Sequence, residues 1–190
     1  MRPSQVRQGL HALGELAGRL AEDHADAIAS LAGRFAETLR RGGTLFFAGN
    51  GGSAADAQHI AAEYVVRYRH HRKALPALAL TTDTSVLTAC GNDLGFDEVF
   101  ARQVEALAHP GDLLVLHSTS GESPNMLRAA QAAKAKGVAV VALLGKGGGR
   151  LRELVDEGLV IPSDETPRVQ ELHLAIEHII CEIVEGELGL

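Results

Sequence analysis

Residues 112–145 read DLLVLHSTSGESPNMLRAAQAAKAKGVAVVALLG, with a polar loop and a helical segment between two apolar runs. The runs at 112–118 and 138–145 lack period-two alternation, which is typical of strands buried on both faces of a parallel sheet. Between them, Ser123 suits a helix N-cap and Pro124 suits the first helical position. This strand–helix–strand unit predicts an α/β fold.

The same alternation of apolar runs and helical patterns continues along the chain. Further strands are predicted at 44–49, 75–80 and 158–163, and helices at 4–40, 53–67, 97–108 and 166–188. We expect a three-layer α/β/α sandwich of about five parallel strands, with a helical N-terminal extension over about 1–42. Because no repeat or linker divides residues 1–190, a single domain is predicted.

Composition excludes several classes of function. The formal net charge of −6 disfavours general binding to nucleic acid or to an acidic membrane surface. No apolar run approaches the ~20 residues that span a bilayer, and no N-terminal segment resembles a secretion signal. Cys90 and Cys181 lack the spacing of a zinc or redox pair and are interpreted as reduced buried thiols. These features predict a cytoplasmic protein without nucleic-acid or membrane partners.

Two polar loops follow predicted strands, where ligands of parallel sheets bind. The glycine loop, GNGGS at 49–53, lacks the partner residues of a dinucleotide fingerprint or a P-loop, and alone it also fits a tight turn. The serine loop, STSGES at 118–123, places four hydroxyl groups beside a helix start. Capping needs one hydroxyl, whereas a bound phosphate needs several donors, so this loop predicts a phosphate site.

These motifs resemble those of the sugar isomerase (SIS) domain family and, within it, of the sedoheptulose-7-phosphate (phosphoheptose) isomerases. The matching stretches are GNGGSAADAQHIAAE (49–63), GNDLGF (91–96), STSGES (118–123), LLGKGGG (143–149) and PRVQELHLAIEH (167–178). The resemblance covers almost the whole chain. It implies a flavodoxin-like SIS fold and a homotetramer with active sites at subunit contacts.

The resemblance also implies a set of site residues. Substrate contacts carry over to Asn50, Gly51, Gly52, Ser53, Glu63, Asn92, Asp93, Ser118, Thr119, Ser120, Ser123 and Gln170. A zinc site carries over to His59, Glu63, Gln170 and His178. Within these sets, Glu63 matches the proposed catalytic base and His178 the proposed acid.

The chain departs from the family pattern at two positions. Glu122 replaces the usual Asn of the serine loop, and a carboxylate beside a phosphate is repulsive unless it points away. Pro167 stands where some relatives carry Asp, so a role of that Asp does not transfer. Neither change alters the implied acid, base or zinc ligands.

The residues themselves leave the metal question open. His59 and Glu63 are four positions apart on one helical face, which suits a metal, proton transfer or a plain surface pair. Gln170 and His178 are two helical turns apart, about 12 Å by rise, so both reach one ion only with difficulty. Because Gln is also a poor zinc ligand, the acid–base assignment is favoured over the zinc site.

Other histidines carry weaker signals. The basic segment 68–73 is interpreted as a solvated loop that could add positive potential near an anionic substrate. His117 is interpreted as a polar residue at a strand end, and His173 has no predicted partner.

The predicted function is conversion of D-sedoheptulose 7-phosphate to D-glycero-D-manno-heptose 7-phosphate through an enediol. This would be the first step of ADP- or GDP-heptose biosynthesis, which supplies lipopolysaccharide or capsule. Two alternatives are a non-catalytic SIS protein that binds the replication initiator protein and a sugar-phosphate sensor. The terminal QELHLAIEH segment (170–178) favours the enzyme.

Overall fold

The computed structural model describes residues 2–190, in which helices and strands alternate along most of the chain. The helices are α1 (Arg2–Asp23), α2 (Ala25–Arg40), α3 (Gly52–Val65), α4 (Thr84–Asp93), α5 (Ala101–Leu107), α6 (Pro124–Ala135), α7 (Leu151–Leu154) and α8 (Thr166–Glu187). The strands are β1 (Leu45–Gly49), β2 (Ala77–Ala79), β3 (Leu113–Ser118), β4 (Ala139–Leu144) and β5 (Glu157–Val160).

The strands form one five-stranded parallel sheet in the order β2-β1-β3-β4-β5. This is the flavodoxin-like order, in which the chain direction across the sheet reverses between β1 and β3. Ligands of such sheets bind outside the carboxyl ends of the strands at this switch point. The glycine loop follows β1 and the serine loop follows β3, so both lie there.

The sheet is covered on both faces, as expected for a three-layer sandwich. Leu45 and Phe47 of β1 pack into one hydrophobic core with α1, α2, α3 and α8. Phe46 and Ala48 pack into a second core with α4, α5, α6 and α7. Since both faces of β1, β3 and β4 are buried, these strands are apolar throughout rather than alternating.

The structure corrects several predicted boundaries. The single helix expected over 4–40 is two helices, broken at His24, whose backbone leaves the helical region. Helix α4 was not predicted, because its Thr- and Val-containing sequence has weak intrinsic helix propensity. Its start is stabilised by Asp83, whose carboxylate accepts a hydrogen bond from the Val86 amide at 3.0 Å.

The two longest helices, α1 and α8, each have 22 residues and differ in their packing. Helix α1 buries Leu16 and Leu20 against α2 and the core, while its first half is exposed. Helix α8 is buried along one face and crosses the site region. Within residues 2–190, no helix combines the length and apolarity that crossing a membrane requires.

Candidate active site

The glycine and serine loops meet at the carboxyl ends of β1 and β3 and enclose a small cavity of about 60 Å³. Its lining residues are Asn50, Ser53, His117, Ser118, Thr119, Ser120, Ser123 and Gln170. Seven of these were predicted as substrate contacts, and His117 was not. Ser123, which lines this cavity, directly precedes α6, so the cavity lies beside the N-terminus of that helix.

The serine hydroxyls of the serine loop differ in the hydrogen bonds that they make. Ser118 Oγ accepts a hydrogen bond from the Gly121 amide at 3.0 Å, and Ser120 Oγ accepts one from the Glu122 amide at 3.2 Å. Ser123 occupies the predicted N-cap position of α6, but its side chain makes no capping hydrogen bond. The Ser123 hydroxyl is therefore not needed by the helix and can donate to a ligand.

Two glycines allow the loops to approach their neighbours. Gly121 has a φ of +66°, and a Cβ there would lie 1.8 Å from the Gly148 carbonyl oxygen. The serine loop therefore packs directly on the glycine-rich turn after β4. At Gly52, a Cβ would lie 2.6 Å from Nε2 of Gln170. Glycine at position 52 thus lets the Gln170 amide reach the start of α3.

An amide pair joins the two loops. The side chains of Asn50 and Asn125 exchange two hydrogen bonds, each of 2.9 Å. Asn125 is buried at the start of α6 and was not singled out in the sequence. Because the Asn50 amide is engaged by Asn125, this pair holds the glycine loop against α6.

The Glu122 carboxylate points to an arginine on the neighbouring turn. Its Oε1 accepts a hydrogen bond from the Arg150 amide at 2.8 Å, and its Oε2 accepts one from Arg150 Nε at 2.7 Å. These hydrogen bonds lower the pKa of Glu122. Arg150 thus compensates the negative charge of Glu122. The carboxylate points to Arg150 rather than to the serine hydroxyls, which is the arrangement that the Asn-to-Glu departure requires.

A second group of residues forms where α3 and α8 come together. His59, Glu63 and His178, called here the His–Glu–His cluster, have ligand atoms that all lie within 4.8 Å of one another. His59 Nε2 lies 3.3 Å from Glu63 Oε1 and 3.4 Å from His178 Nε2. The ring of Tyr68 stacks on that of His178, with centroids 5.6 Å apart. The cluster can hold a metal ion or act in proton transfer.

Asn92 and Asp93 are not among the residues that line the cavity. They are exposed at the end of α4, where Asn92 Nδ2 donates to Asp93 Oδ1 at 2.7 Å. Gly51 and Gly52 lie in the glycine loop and are also exposed. The substrate contacts of Asn92 and Asp93 stay predictions.

Buried polar side chains lie beneath the site, and sequence analysis missed their connection. His117 Nε2 lies 2.7 Å from Glu177 Oε1, and both side chains are almost completely buried. His173 is also buried, and its Nε2 donates to the Leu144 carbonyl at 3.1 Å. The signal was present, since His173 and Glu177 are four residues apart on the apolar face of α8.

Burial and mutual charge shift the pKa values in this layer. Burial lowers the pKa of His117, but the Glu177 carboxylate outweighs this and raises it above its ordinary value. Burial also raises the pKa of Glu177, against the opposing effect of His117. Because the two groups share a hydrogen bond, they titrate as a coupled pair.

His173 should make the fold sensitive to acid. Burial lowers the pKa of His173 from 6.5 to about 3, so below pH 6.5 the unfolded chain binds a proton that the folded chain does not. Stability is therefore lost as pH falls from about 6.5 towards 3, by about 2 kcal/mol at pH 5. His173→Gln keeps a donor for Leu144 and should lose about 2 kcal/mol less between pH 7.5 and 5, measured by urea unfolding. Equal losses in both proteins would contradict this assignment.

The basic segment 68–73 contains no helix or strand and is largely exposed, as its sequence suggested, but Arg72 is an exception. The Arg72 side chain is buried, and its Nε lies 2.8 Å from Glu185 Oε1. Its guanidinium also donates to the carbonyl oxygens of Glu63 at 2.7 Å and Tyr64 at 2.8 Å. Arg72 thus connects the end of α3, which carries Glu63, to Glu185 of α8.

Comparison with known proteins agrees with the fold and the site described above. A family model described as SIS domain matches residues 10–145. A phosphoheptose isomerase of Roseiflexus sp. (strain RS-1) is 54% identical over 170 residues, covering 90% of this chain and 86% of the relative. One from Geobacter sp. (strain M21) is 50% identical over 186 residues, covering 98% and 97%.

The fold comparison leads to the same group. The solved structure of phosphoheptose isomerase from Neisseria gonorrhoeae has a TM-score of 0.93 and 38% sequence identity, and the match covers 98% of this chain and 100% of that one. With this identity and coverage, the chain belongs to the SIS domain family, among its phosphoheptose isomerases, and is an isomerase of sugar phosphates.

Proposed function

We propose that the protein converts D-sedoheptulose 7-phosphate to D-glycero-D-manno-heptose 7-phosphate, the first step of ADP- or GDP-heptose biosynthesis. The observation that supports the proposal is that the cavity between the glycine and serine loops and the His–Glu–His cluster form two sites joined by α3 and α8. Gln170 and His178 mark the two sites on α8, about 12 Å apart by rise. An open-chain sugar phosphate has its phosphate and its reacting carbons at opposite ends.

In this proposal the chain's own groups perform the proton transfers. Glu63 takes a proton from carbon 1 of the ketose, which leaves an enediol, and a proton is returned to carbon 2. His178 acts as the acid that donates a proton to the substrate oxygen that becomes negative as the enediol forms. The serine loop holds the phosphate with hydroxyl groups and amides, and fixing both ends lowers the entropic part of the barrier.

We also propose that the His–Glu–His cluster holds one zinc ion per chain, with Gln170 as a further ligand. Two imidazoles and one carboxylate within 4.8 Å are a donor set that suits zinc. When bound, zinc would act as a Lewis acid at the substrate oxygen. Gln170 packs on Gly52 and lines the cavity between the glycine and serine loops, called here the phosphate cavity. Because this cavity is separate from the His–Glu–His cluster, Gln170 is the least favourable of the four proposed ligands.

Residues 1–190 are proposed to form one SIS domain that works as a cytoplasmic homotetramer without nucleic-acid or membrane partners. Exposed apolar side chains support subunit contacts, among them Val6 and Leu10 on α1 and Phe96 after α4. Asn92 and Asp93 lie close to Phe96 in sequence. A subunit contact at Phe96 would therefore place them near a neighbouring subunit, where the resemblance implies that the active sites lie.

The decisive experiment is turnover of sedoheptulose 7-phosphate by the purified protein, followed by NMR. The proposal expects the aldose heptose 7-phosphate as product. Binding of the ketose phosphate without turnover would favour the sensor alternative, and isomerisation of another sugar phosphate alone would reject the proposed substrate.

Ser123→Ala should raise KM more than it lowers kcat, because phosphate binding is largely uniform between ground and transition states. Since the Ser123 hydroxyl makes no capping bond, the melting temperature should stay close to wild type. Steady-state kinetics and thermal unfolding measure the two effects. An unchanged KM would remove the Ser123 hydroxyl from the phosphate site.

Zinc content can be measured directly. Washed wild-type protein should contain close to one zinc per chain by elemental analysis, and His59→Ala should contain far less because it removes one of few ligands. His109→Ala is the matched control, since His109 is an exposed histidine away from the cluster. Equal zinc content in wild type and His59→Ala would place any zinc elsewhere.

A further inference from the structure

A buried hydrogen bond joins a residue that lines the phosphate cavity to the residue that precedes His178 of the His–Glu–His cluster. His117 directly precedes the serine loop on β3, and Glu177 directly precedes His178 on α8. Their 2.7 Å contact joins Nε2 of the imidazole to Oε1 of the carboxylate. Each partner is thus one residue away from a proposed functional group, on a different element of the fold.

Stability alone does not explain this pair. Both residues are 1% exposed, and Glu177 Oε2 has no hydrogen-bond partner among residues 2–190. Unpartnered buried polar atoms cost free energy. Replacing a buried ionic or polar pair by apolar side chains is often neutral or stabilising. The pair does, however, add a directional contact that an apolar pair would lack.

The pair lies within a packed group that extends to the proposed base. The ring of Phe47 stacks on His117 with centroids 6.2 Å apart, and on Tyr64 with centroids 6.0 Å apart. Tyr64 directly follows Glu63 on α3. The imidazole of His117 therefore contacts the same core that supports α3, while Glu177 connects it to α8.

We propose that the hydrogen bond between His117 and Glu177 sets the placement of His178 relative to the serine loop, which makes both residues positioning residues for isomerisation. The proposal rests on the proposed function of the His–Glu–His cluster. A shift of about 1 Å in a catalytic group can lower turnover by up to ~10²-fold, so a directional contact one residue away is sufficient to matter.

The test is the double variant His117→Leu/Glu177→Leu, compared with Glu177→Gln. The double variant removes both polar groups together and should melt no lower than wild type. Its kcat should fall about tenfold or more, with KM within about twofold, because the serine loop is intact. Glu177→Gln keeps a side chain that can hydrogen-bond to the imidazole and should stay within about threefold of the wild-type kcat.

Gln103→Leu is the matched control. Gln103 is a buried amide on α5 whose Nε2 donates to the carbonyls of Leu80 and Val99, away from both sites. Its kcat should stay at the wild-type level, which separates positioning from a general response to losing buried polar groups.

A folded double variant with kcat within twofold of wild type would overturn the proposal. A double variant that does not fold, or a folded Glu177→Gln protein as impaired as the double variant, would also count against it. Crystal structures provide a readout independent of turnover, since the His178 ring should be displaced relative to Ser118 in the double variant only. If wild type did not isomerise sedoheptulose 7-phosphate, the proposed substrate would fail, while this displacement would still decide the role of the pair.

Discussion

Glu63→Gln is expected to lower kcat by roughly 10²–10⁴-fold, the usual contribution of a positioned general base. Glutamine keeps the shape of the side chain but removes the basic oxygen that would take the proton from carbon 1. The KM should change little, because the phosphate cavity is lined by other residues. Glu182→Gln, an exposed carboxylate on α8, is the matched control and should keep wild-type turnover.

Solvent exchange distinguishes loss of the base from loss of a metal ligand. An enediol route carries deuterium from D₂O into carbon 2 of the product, and Glu63→Gln should lose this incorporation in step with turnover. Zinc content should be measured in the same preparation, because Glu63 also belongs to the His–Glu–His cluster. Near-normal turnover with normal deuterium incorporation would show that Glu63 is not the base.

His178→Ala should be impaired on a similar scale. If acid and base act in one proton-transfer sequence, the double variant Glu63→Gln/His178→Ala should lose less than the product of the two single losses. Strictly multiplicative losses would indicate that the two residues act independently.

Arg72→Met is expected to lower the free energy of unfolding by about 3–5 kcal/mol, measured in urea. Removal of the guanidinium leaves the Glu185 carboxylate buried without its charge partner. It also removes the donors to the carbonyls of Glu63 and Tyr64 at the end of α3. Because Glu185 accepts hydrogen bonds from the amides of Tyr68 and Arg69 as well, the whole segment 68–73 should loosen.

Arg69→Met provides a control in the same segment. Arg69 pairs with Glu182 at the surface, where both side chains are at least half exposed. Exposed ion pairs contribute about 0–1 kcal/mol, so this variant should stay close to wild type. Similar losses in the two variants would mean that burial does not distinguish Arg72 from Arg69.

Local signals in the sequence were enough to predict the fold class. Apolar strands without alternation require a sheet covered on both faces, and the structure has this sheet. The positions of the glycine and serine loops after strands were also predicted, because hydroxyls and glycines between a strand and a helix are a local pattern. The boundary between α1 and α2 was missed, since the helical pattern continues across His24.

Contacts between distant segments were decided by the tertiary structure. In the sequence, His117 is a polar residue at a strand end and Arg72 belongs to a basic run, and neither pattern names a partner. The partners, Glu177 and Glu185, lie on α8 because that helix packs across α3 and the sheet. Without the resemblance, the contact between His178 and His59 could not have been predicted either, because the two residues lie on different helices far apart in the sequence. Local spacing determines which face a side chain occupies, but only the packing of helices on the sheet determines what that face meets.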